Sequence, residues 1–443
     1  MSLVTVCEYA SLTTHPVKEP SLVLAHVSPS AFDHLCALSE QFRRGGASLV
    51  QIDGRTRLRL DSFVGVIQTP CGTTVEILPK HTEGTGERDK EASRALLRRL
   101  IQSMFDMKAR EVGVASLETF NAPLTEWVMA HFLTEMDLIV QRGLRFNYQR
   151  VEEEQPFLRG QLNVMAQLRQ PPGREHRFQI RHDVFTPDRA ENRLLRSALN
   201  LVCKQTTSAD NWRLAHELSV RLAELPDSRD IQADFRAWGT DRLMAHYQAV
   251  RPWCEIILLK TMPLALQGQT KGLSLLFPME QLFERHVAAC LRAQLPPSFR
   301  IRTPAASQSL CLHAGRPIFQ LEPDIFIEHG NRSWVLDTKW KRVNAADRDN
   351  KYGLSQGDFY QLFAYGRKYM NGVGEMALIY PRTSQFAQPL PPFSFDDELR
   401  LHVLPFDLQA DALAGASVLS FSSTCLDGQA SPAARILASS ESA

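Results

Sequence analysis

The chain has no run of roughly 18 or more apolar residues, the length a membrane-spanning helix needs. Its start, MSLVTVCEYASLTTHPVKEP, lacks the basic flank and apolar core of a signal peptide. The expected location is therefore the cytosol, with no role at a membrane. No GxxxxGK[ST] stretch occurs, so this chain itself is expected to bind no nucleotide, and any nucleotide hydrolysis falls to a partner. CxxC spacing is absent too. The eight cysteines (Cys7, Cys36, Cys71, Cys203, Cys254, Cys290, Cys311 and Cys425) are scattered, most within apolar stretches, which favours buried reduced thiols over disulfides or a zinc site. Nor is there an excess of charge of one sign: at a formal net charge of +1, contact with nucleic acid has to come from local patches. No internal repeat of fixed period is found.

What is present is an ordinary globular composition, 44% hydrophobic and 22% charged over 443 residues, enough for two or three domains with their own cores. The expected class is α+β and multidomain. Residues 1–86 read as a β-rich domain, in which SFVGVIQTPCGTTVEILPKH places two strands on either side of a Pro70 to Gly72 turn. TEGTGERDK, Thr82 to Lys90, reads as a loop or linker. Residues 87–265 read as helical: Leu97, Leu100, Ile101, Met104 and Phe105 fall at helical spacing, and a second helix runs from near Pro123 to Gly143. A third is announced by DRAENRLLRSAL, with Asp188 and Glu191 as a capping box.

Residues 266–408 form the third region. Met279, Leu282, Phe283, His286, Val287, Cys290 and Leu291 line one helical face, with Pro278 at its first turn and Pro296-Pro297 at its end. SQGDFYQLFAYGRKYM predicts another helix, with Ser355 and Asp358 as a capping pair. EMALIYP and ELRLHVLPFDL read as strands. The Ala/Ser-rich end, residues 409–443, is expected to be loose.

Between these helices lies EPDIFIEHGNRSWVLDTKWK, Glu322 to Lys341. With Gly330 and Asn331 as a two-residue hairpin turn, counting outward pairs Phe326 with Val335, Ile325 with Leu336, and finally Asp324 with Asp337. Opposed residues share a sheet face with β-carbons roughly 5 Å apart, where like charges repel. A hard divalent cation between them would resolve the repulsion, and Mg²⁺ needs only one or two protein carboxylates. Lys339, two residues on, points to the same face, where it can stabilise developing phosphorane charge. The plain alternative leaves Asp324 as a strand-starting residue and Asp337 as a solvent-facing acid paired with Lys339; Glu284 would then be helix surface, and Gln361 and Tyr365 helix packing.

EPD followed by DTK resembles the PD-(D/E)xK nuclease signature, with Asp337 and Lys339 in its last positions. Glu284 matches the further acidic ligand on the upstream helix, and Gln361 and Tyr365 in QLFAY match the QxxxY element of the RecB-like branch. At i and i+4 these two share a helix face. SFVGVIQTPCGTTVEILPKH, FLRGQL, NRLLRSAL, LFPMEQLFERHV, LDTKWK and GDFYQLFAYGRKY, in that order, resemble the McrC family, over about Ser62 to Leu408.

The resemblance implies a C-terminal α/β nuclease domain whose mixed sheet is flanked by helices. It implies catalytic roles for Asp324, Asp337, Lys339, Glu284, Gln361 and Tyr365, the three acids holding Mg²⁺, with Mn²⁺ as a substitute. The implied substrate is double-stranded DNA with modified cytosine. The implied partner is a McrB-like AAA+ GTPase hexamer, docked on the N-terminal and helical regions. Lys341 and Arg342 are candidate phosphate contacts, and Arg55, Arg57 and Arg59 alternate along another strand, where a solvated face is the commoner explanation. Two other readings stay open: a regulatory adaptor with an inert nuclease fold, and a stand-alone RecB-like repair nuclease.

Overall fold

The structure, a computed structural model, describes residues 2–44, 46–80, 86–105, 123–174, 176–259, 274–305 and 307–415. In the first region the two expected strands, Phe63–Gln68 and Thr73–Leu78, pair antiparallel across their turn. Ser2–Cys7 adds parallel to the second. The fourth strand of this sheet comes from far along the chain: Leu275–Pro278 pairs antiparallel with Phe63–Gln68. The first region is therefore not closed by its own residues. Gly65 permits the junction, because a β-carbon there would lie 2.0 Å from the Leu275 carbonyl oxygen, and its φ of +131° suits glycine alone.

The reading of residues 1–86 as β-rich overlooks a 16-residue helix, Pro29–Arg44. Its Phe32, Leu35 and Phe42 are buried against Leu12, Leu58 and Ile77, and their spacing of three and seven is the helical signal that was available. The expected linker is also shorter: residues 82–85 lie outside the described ones, and Glu87 already begins the helix Glu87–Met104.

The helix expected after Pro123 spans Leu124–Arg142, flanked by Pro123 and Gly143. With Ala190–Gln205, Ala209–Arg221 and Arg251–Leu259 it shares one apolar core that extends into the third region. The capping box at Asp188 does not form. Arg189 is the N-cap, Asp188 pairs with Arg193 at 2.7 Å, and Glu191 accepts from the Gly239 backbone N–H at 2.8 Å. A three-stranded sheet, Asn147–Gln155, Gln161–Leu162 and Phe178–Thr186, interrupts the expected run of helices. Its first strand, NYQRVEEEQ, has no fully buried residue, so it carries no alternation that would reveal a strand.

The third region is built on a mixed sheet. Arg300–Arg302, Ile325–His329 and Arg332–Thr338 run antiparallel in turn, and Gly374–Pro381 and Leu399–Asp407 then continue parallel to the last. The hairpin register agrees with the count from its turn, pair by pair from His329 with Arg332 to Ile325 with Leu336. One sheet face, with Ile325, Leu336, Ile379 and Phe406, packs on the helix Met279–Gln294. The other, with Phe326, Val335, Met376 and Val403, packs on Gln356–Tyr369. Pro278 stands at the N-cap of the first helix, and Ser355 at that of the second, where its side chain makes no capping bond.

The tail expected to be loose from residue 409 instead holds a short strand, Ala412–Leu413, paired with Phe406 and Asp407. Asp411 just before it accepts from His286 Nε2 at 3.0 Å and from Arg99 at 3.3 Å. His286 also meets Ser103 at 2.8 Å through Nδ1, which ties the tail to two helices. Residues 416–443 lie outside the described ones. No helix among the described residues is long and apolar enough to cross a membrane.

The cysteines are less buried than expected. Cys7 and Cys254 are buried, Cys36, Cys203 and Cys290 are partly buried, and Cys71 and Cys311 are exposed; all seven described cysteines are free, and Cys425 lies outside the described residues.

Candidate functional site

Alternation along the hairpin puts Asp337 on the face of Val335, toward Tyr365, one residue from the end of its strand. Asp337 is fully buried. Lys339 Nζ donates to its Oδ2, whereas Oδ1 is buried with no hydrogen-bond partner. Asp324, one residue before its strand, accepts at Oδ2 from the backbone N–H of Thr338 at 2.7 Å and from the Thr338 hydroxyl at 2.8 Å.

These carboxylates feel one another. Burial, and then the charge of Asp324, lift Asp337 from its ordinary 3.8 to about 7, against the opposing pull of Lys339. Burial raises Asp324 as well, despite the two bonds from Thr338. Glu284, half-buried on its helix, goes from 4.5 to about 7, first through burial and then through Asp324, with Asp337 adding to it. Lys339 moves upward: burial works against its charge, but Asp337, Asp324 and Asp358 outweigh it. It is held as a cation.

The helix Gln356–Tyr369 supplies the outer wall. Gln361 Nε2 donates to the Tyr365 hydroxyl at 2.7 Å, and that hydroxyl donates to the Glu322 carbonyl at 3.1 Å, two residues before Asp324. Of the sequence-derived residues, Glu284, Asp324, Asp337 and Lys339 therefore converge, with Gln361 and Tyr365 behind Asp324. Lys341 and Arg342 do not join them. Lys341 lies 3.7 Å from Asp358, and Arg342 donates to the Lys80 carbonyl at 3.4 Å, toward the N-terminal region. Among the described residues, the acids do not make the tightest potential ligand set. That is His286, Cys290 and Asp411, whose donor atoms all lie within 4.8 Å of one another and are held by Ser103 and Arg99.

Sequence reasoning missed Thr338 and Asp358. Thr338 carried a signal in its place between Asp337 and Lys339. Asp358, read as a cap, is buried and acts on both Asp337 and Lys339; at i−3 from Gln361 it shares the helix face that looks at the site.

Fold and site together define an α+β protein with a buried carboxylate–lysine centre on a mixed sheet. The family model for the McrBC 5-methylcytosine restriction system component matches residues 58–381, and the chain belongs to that family. Among solved structures it is similar to a refined half-complex from the tetradecameric assembly of Thermococcus gammatolerans McrB AAA+ hexamers with bound McrC, at 19% identity, covering 92% of this chain and 95% of that one, with a TM-score of 0.64. It is also similar to a chain of the cryo-EM structure of the Thermococcus gammatolerans McrBC complex, at 18% identity, covering 66% of this chain and 88% of that one, with a TM-score of 0.51. At these identities the likeness is one of fold. No curated protein matches the sequence.

Proposed function

We propose that this chain is the Mg²⁺-dependent DNA-cutting subunit of a modification-dependent restriction system and that it acts with an AAA+ GTPase ring. The observation that carries the reading is Asp337: a fully buried carboxylate with a free, desolvated oxygen, beside two further acids and a fixed lysine. A fold gains little from that arrangement unless a cation completes it, since a buried acceptor left unsatisfied costs roughly 1–3 kcal/mol. Oxygen donors from Asp324, Asp337 and Glu284 suit a hard cation such as Mg²⁺. Bound there, it would polarise a phosphate oxygen and make water a better nucleophile.

The remaining roles belong to the chain. Lys339, held protonated by its acidic neighbours, serves as a fixed positive charge for the phosphate oxygens rather than as a base. Glu284, raised to about 7 by burial and by Asp324, would release its proton on binding the cation, which couples metal binding to pH near neutrality. Gln361 and Tyr365 brace the backbone before Asp324. Hydrolysis forms a bond from water oxygen to phosphorus and breaks the bond from phosphorus to the 3′ oxygen.

The family and the McrB hexamers named with the structural neighbours support an AAA+ partner for this chain. The three-stranded sheet and its connections offer surfaces for it: Tyr148 and Phe185 toward one end, and Phe157, Leu158, Met165 and Leu168 toward the other, are each more than half exposed.

Reconstitution tests the reading. The chain, its AAA+ partner, GTP and Mg²⁺ are expected to cut duplex DNA carrying 5-methylcytosine and to spare unmodified duplex. GTPase stimulation without any cutting in Mg²⁺ or Mn²⁺ would instead make the chain an adaptor. Robust cutting by the chain alone, without GTP, would make it a stand-alone nuclease.

A further inference from the structure

Beyond the carboxylate–lysine centre lies a cleft of about 280 Å³ between the N-terminal region and the mixed-sheet region. Five cations line it: Arg59 and Lys80 from one side, Lys341, Arg342 and Arg382 from the other. One carboxylate, Glu8, faces them. From these observations we propose that the cleft is a positioning site for a backbone phosphodiester of the DNA strand being cut, a few nucleotides from the scissile bond. This inference rests on the nuclease reading above and adds to it a second point of attachment.

Charge is the first support. Arg382 is paired with Asp407, and Lys341 is near Asp358, but Arg59, Lys80 and Arg342 make no ion pair among the described residues. Three uncompensated cations converging on one cleft repel one another, and an anion removes that repulsion.

The side chains are also held in place. Arg59 donates to the Tyr9 carbonyl at 3.3 Å and lies over the Tyr9 ring, 5.9 Å from its centre; Arg342 is held on the Lys80 carbonyl. Glu8 is almost fully buried. Its Oε1 accepts from Trp340 Nε1 at 2.7 Å and from the Lys80 backbone N–H at 2.9 Å, while Oε2 has no hydrogen-bond partner. Burial raises Glu8 to about 7, so near neutral pH it offsets the cations of the cleft only in part.

Continuity with the catalytic strand is the third support. Asp337 and Lys341 are four residues apart, with the strand ending at Thr338 and a bend at Lys341, so the cleft opens at most roughly 13 Å from Asp337. Phosphates recur every 3.4 Å of axis on one strand, which puts the bound one about four nucleotides from the cut at most. A single polyanion can span both sites.

The test is the salt dependence of DNA binding. The full chain bearing Asp337→Asn, which binds without cutting, is titrated with a fluorescein-labelled duplex in Mg²⁺ from 50 to 200 mM salt, with and without Arg59→Ala and Lys80→Ala together. The slope of log affinity on log salt is expected to shrink by about 0.9, the value for one phosphate. Arg59→Lys with Lys80→Arg restores it, and an unchanged melting temperature sets misfolding aside. An unchanged slope, no DNA binding by the parent, or calorimetric binding of GTP that the double variant abolishes while DNA binding persists would each overturn the proposal. The nuclease reading is judged separately, by cutting with wild-type Asp337, so the two can fail independently.

Discussion

Thr338 donates twice to a single oxygen of Asp324, through its backbone N–H at 2.7 Å and its hydroxyl at 2.8 Å. The residue between Asp337 and Lys339 thus fixes the rotamer of the acid that precedes the opposing strand. That link ties Asp324, which lies just outside the paired register, to the strand that carries Asp337.

Thr338→Val keeps shape and β-propensity but removes the hydroxyl bond. Partners that orient a metal ligand typically contribute 10–100-fold to metal affinity or activity. The variant is expected to need about tenfold more Mg²⁺ for half-maximal cutting, with little change at saturation. An equal loss at all Mg²⁺ concentrations would place the hydroxyl elsewhere in the mechanism.

Asp337→Asn is expected to abolish cutting and, in chelator at pH 8, to raise the melting temperature. The second effect separates a functional acid from a structural one: the buried charge repels Asp324 and Glu284, and the amide does not. A lower melting temperature would mean that the bond from Lys339 outweighs the repulsion and that the pair holds the fold together.

Asp337 and Glu284 both sit higher in the folded protein than in the unfolded chain, at about 7 against 3.8 and 4.5. Between those values the folded state binds more protons, so the stability they contribute in chelator falls as pH rises from about 4 to above 7. Mg²⁺, which binds the ionised acids, is expected to oppose the fall most strongly at the alkaline end. His131 and His286, pushed down by burial, add stability as pH rises, so the check is the difference in denaturant midpoint between wild type and Asp337→Asn across pH 5 to 8.5, with and without Mg²⁺; a wild-type midpoint that climbs with pH relative to the variant in chelator contradicts the proposed crowding of acids.

Much of this site could be read from the chain because it is local. Gly330 and Asn331 set the register of the hairpin as far as Ile325 with Leu336, Asp324 stands just beyond it, and Lys339, two residues after Asp337, bonds to it. The apolar stripe on Met279–Gln294 located the helix that carries Glu284. What escaped depends on distant partners. Trp340 bonds Glu8 across 332 positions, and nothing near either residue points to the other. Asp411 sits in an Ala/Ser-rich stretch whose composition suggests looseness, yet one carboxylate meeting His286 and Arg99 pins it. The sheet at Asn147–Thr186 buries only Ile180 and His182, both on its central strand, and its first strand has no buried residue for a strand pattern to report.

Gly65 tests how far the N-terminal sheet governs the site. Leu275–Pro278 joins that sheet opposite Gly65 and runs directly into the helix that bears Glu284, whose first residue, Met279, donates its N–H to the Ser62 carbonyl at 2.8 Å. Gly65→Ala would push a β-carbon into the Leu275 carbonyl, a backbone group that cannot turn aside as a side chain can. Overpacking of this kind costs about 1–3 kcal/mol, and a contact this short belongs at the upper end. Because the displaced strand carries the helix with it, cutting is expected to fall more than stability does at a temperature where the variant remains folded. Parallel measurement of the urea midpoint and of cutting at 25 °C decides the matter: a lowered midpoint with full cutting would show that Glu284 is positioned by the mixed sheet alone.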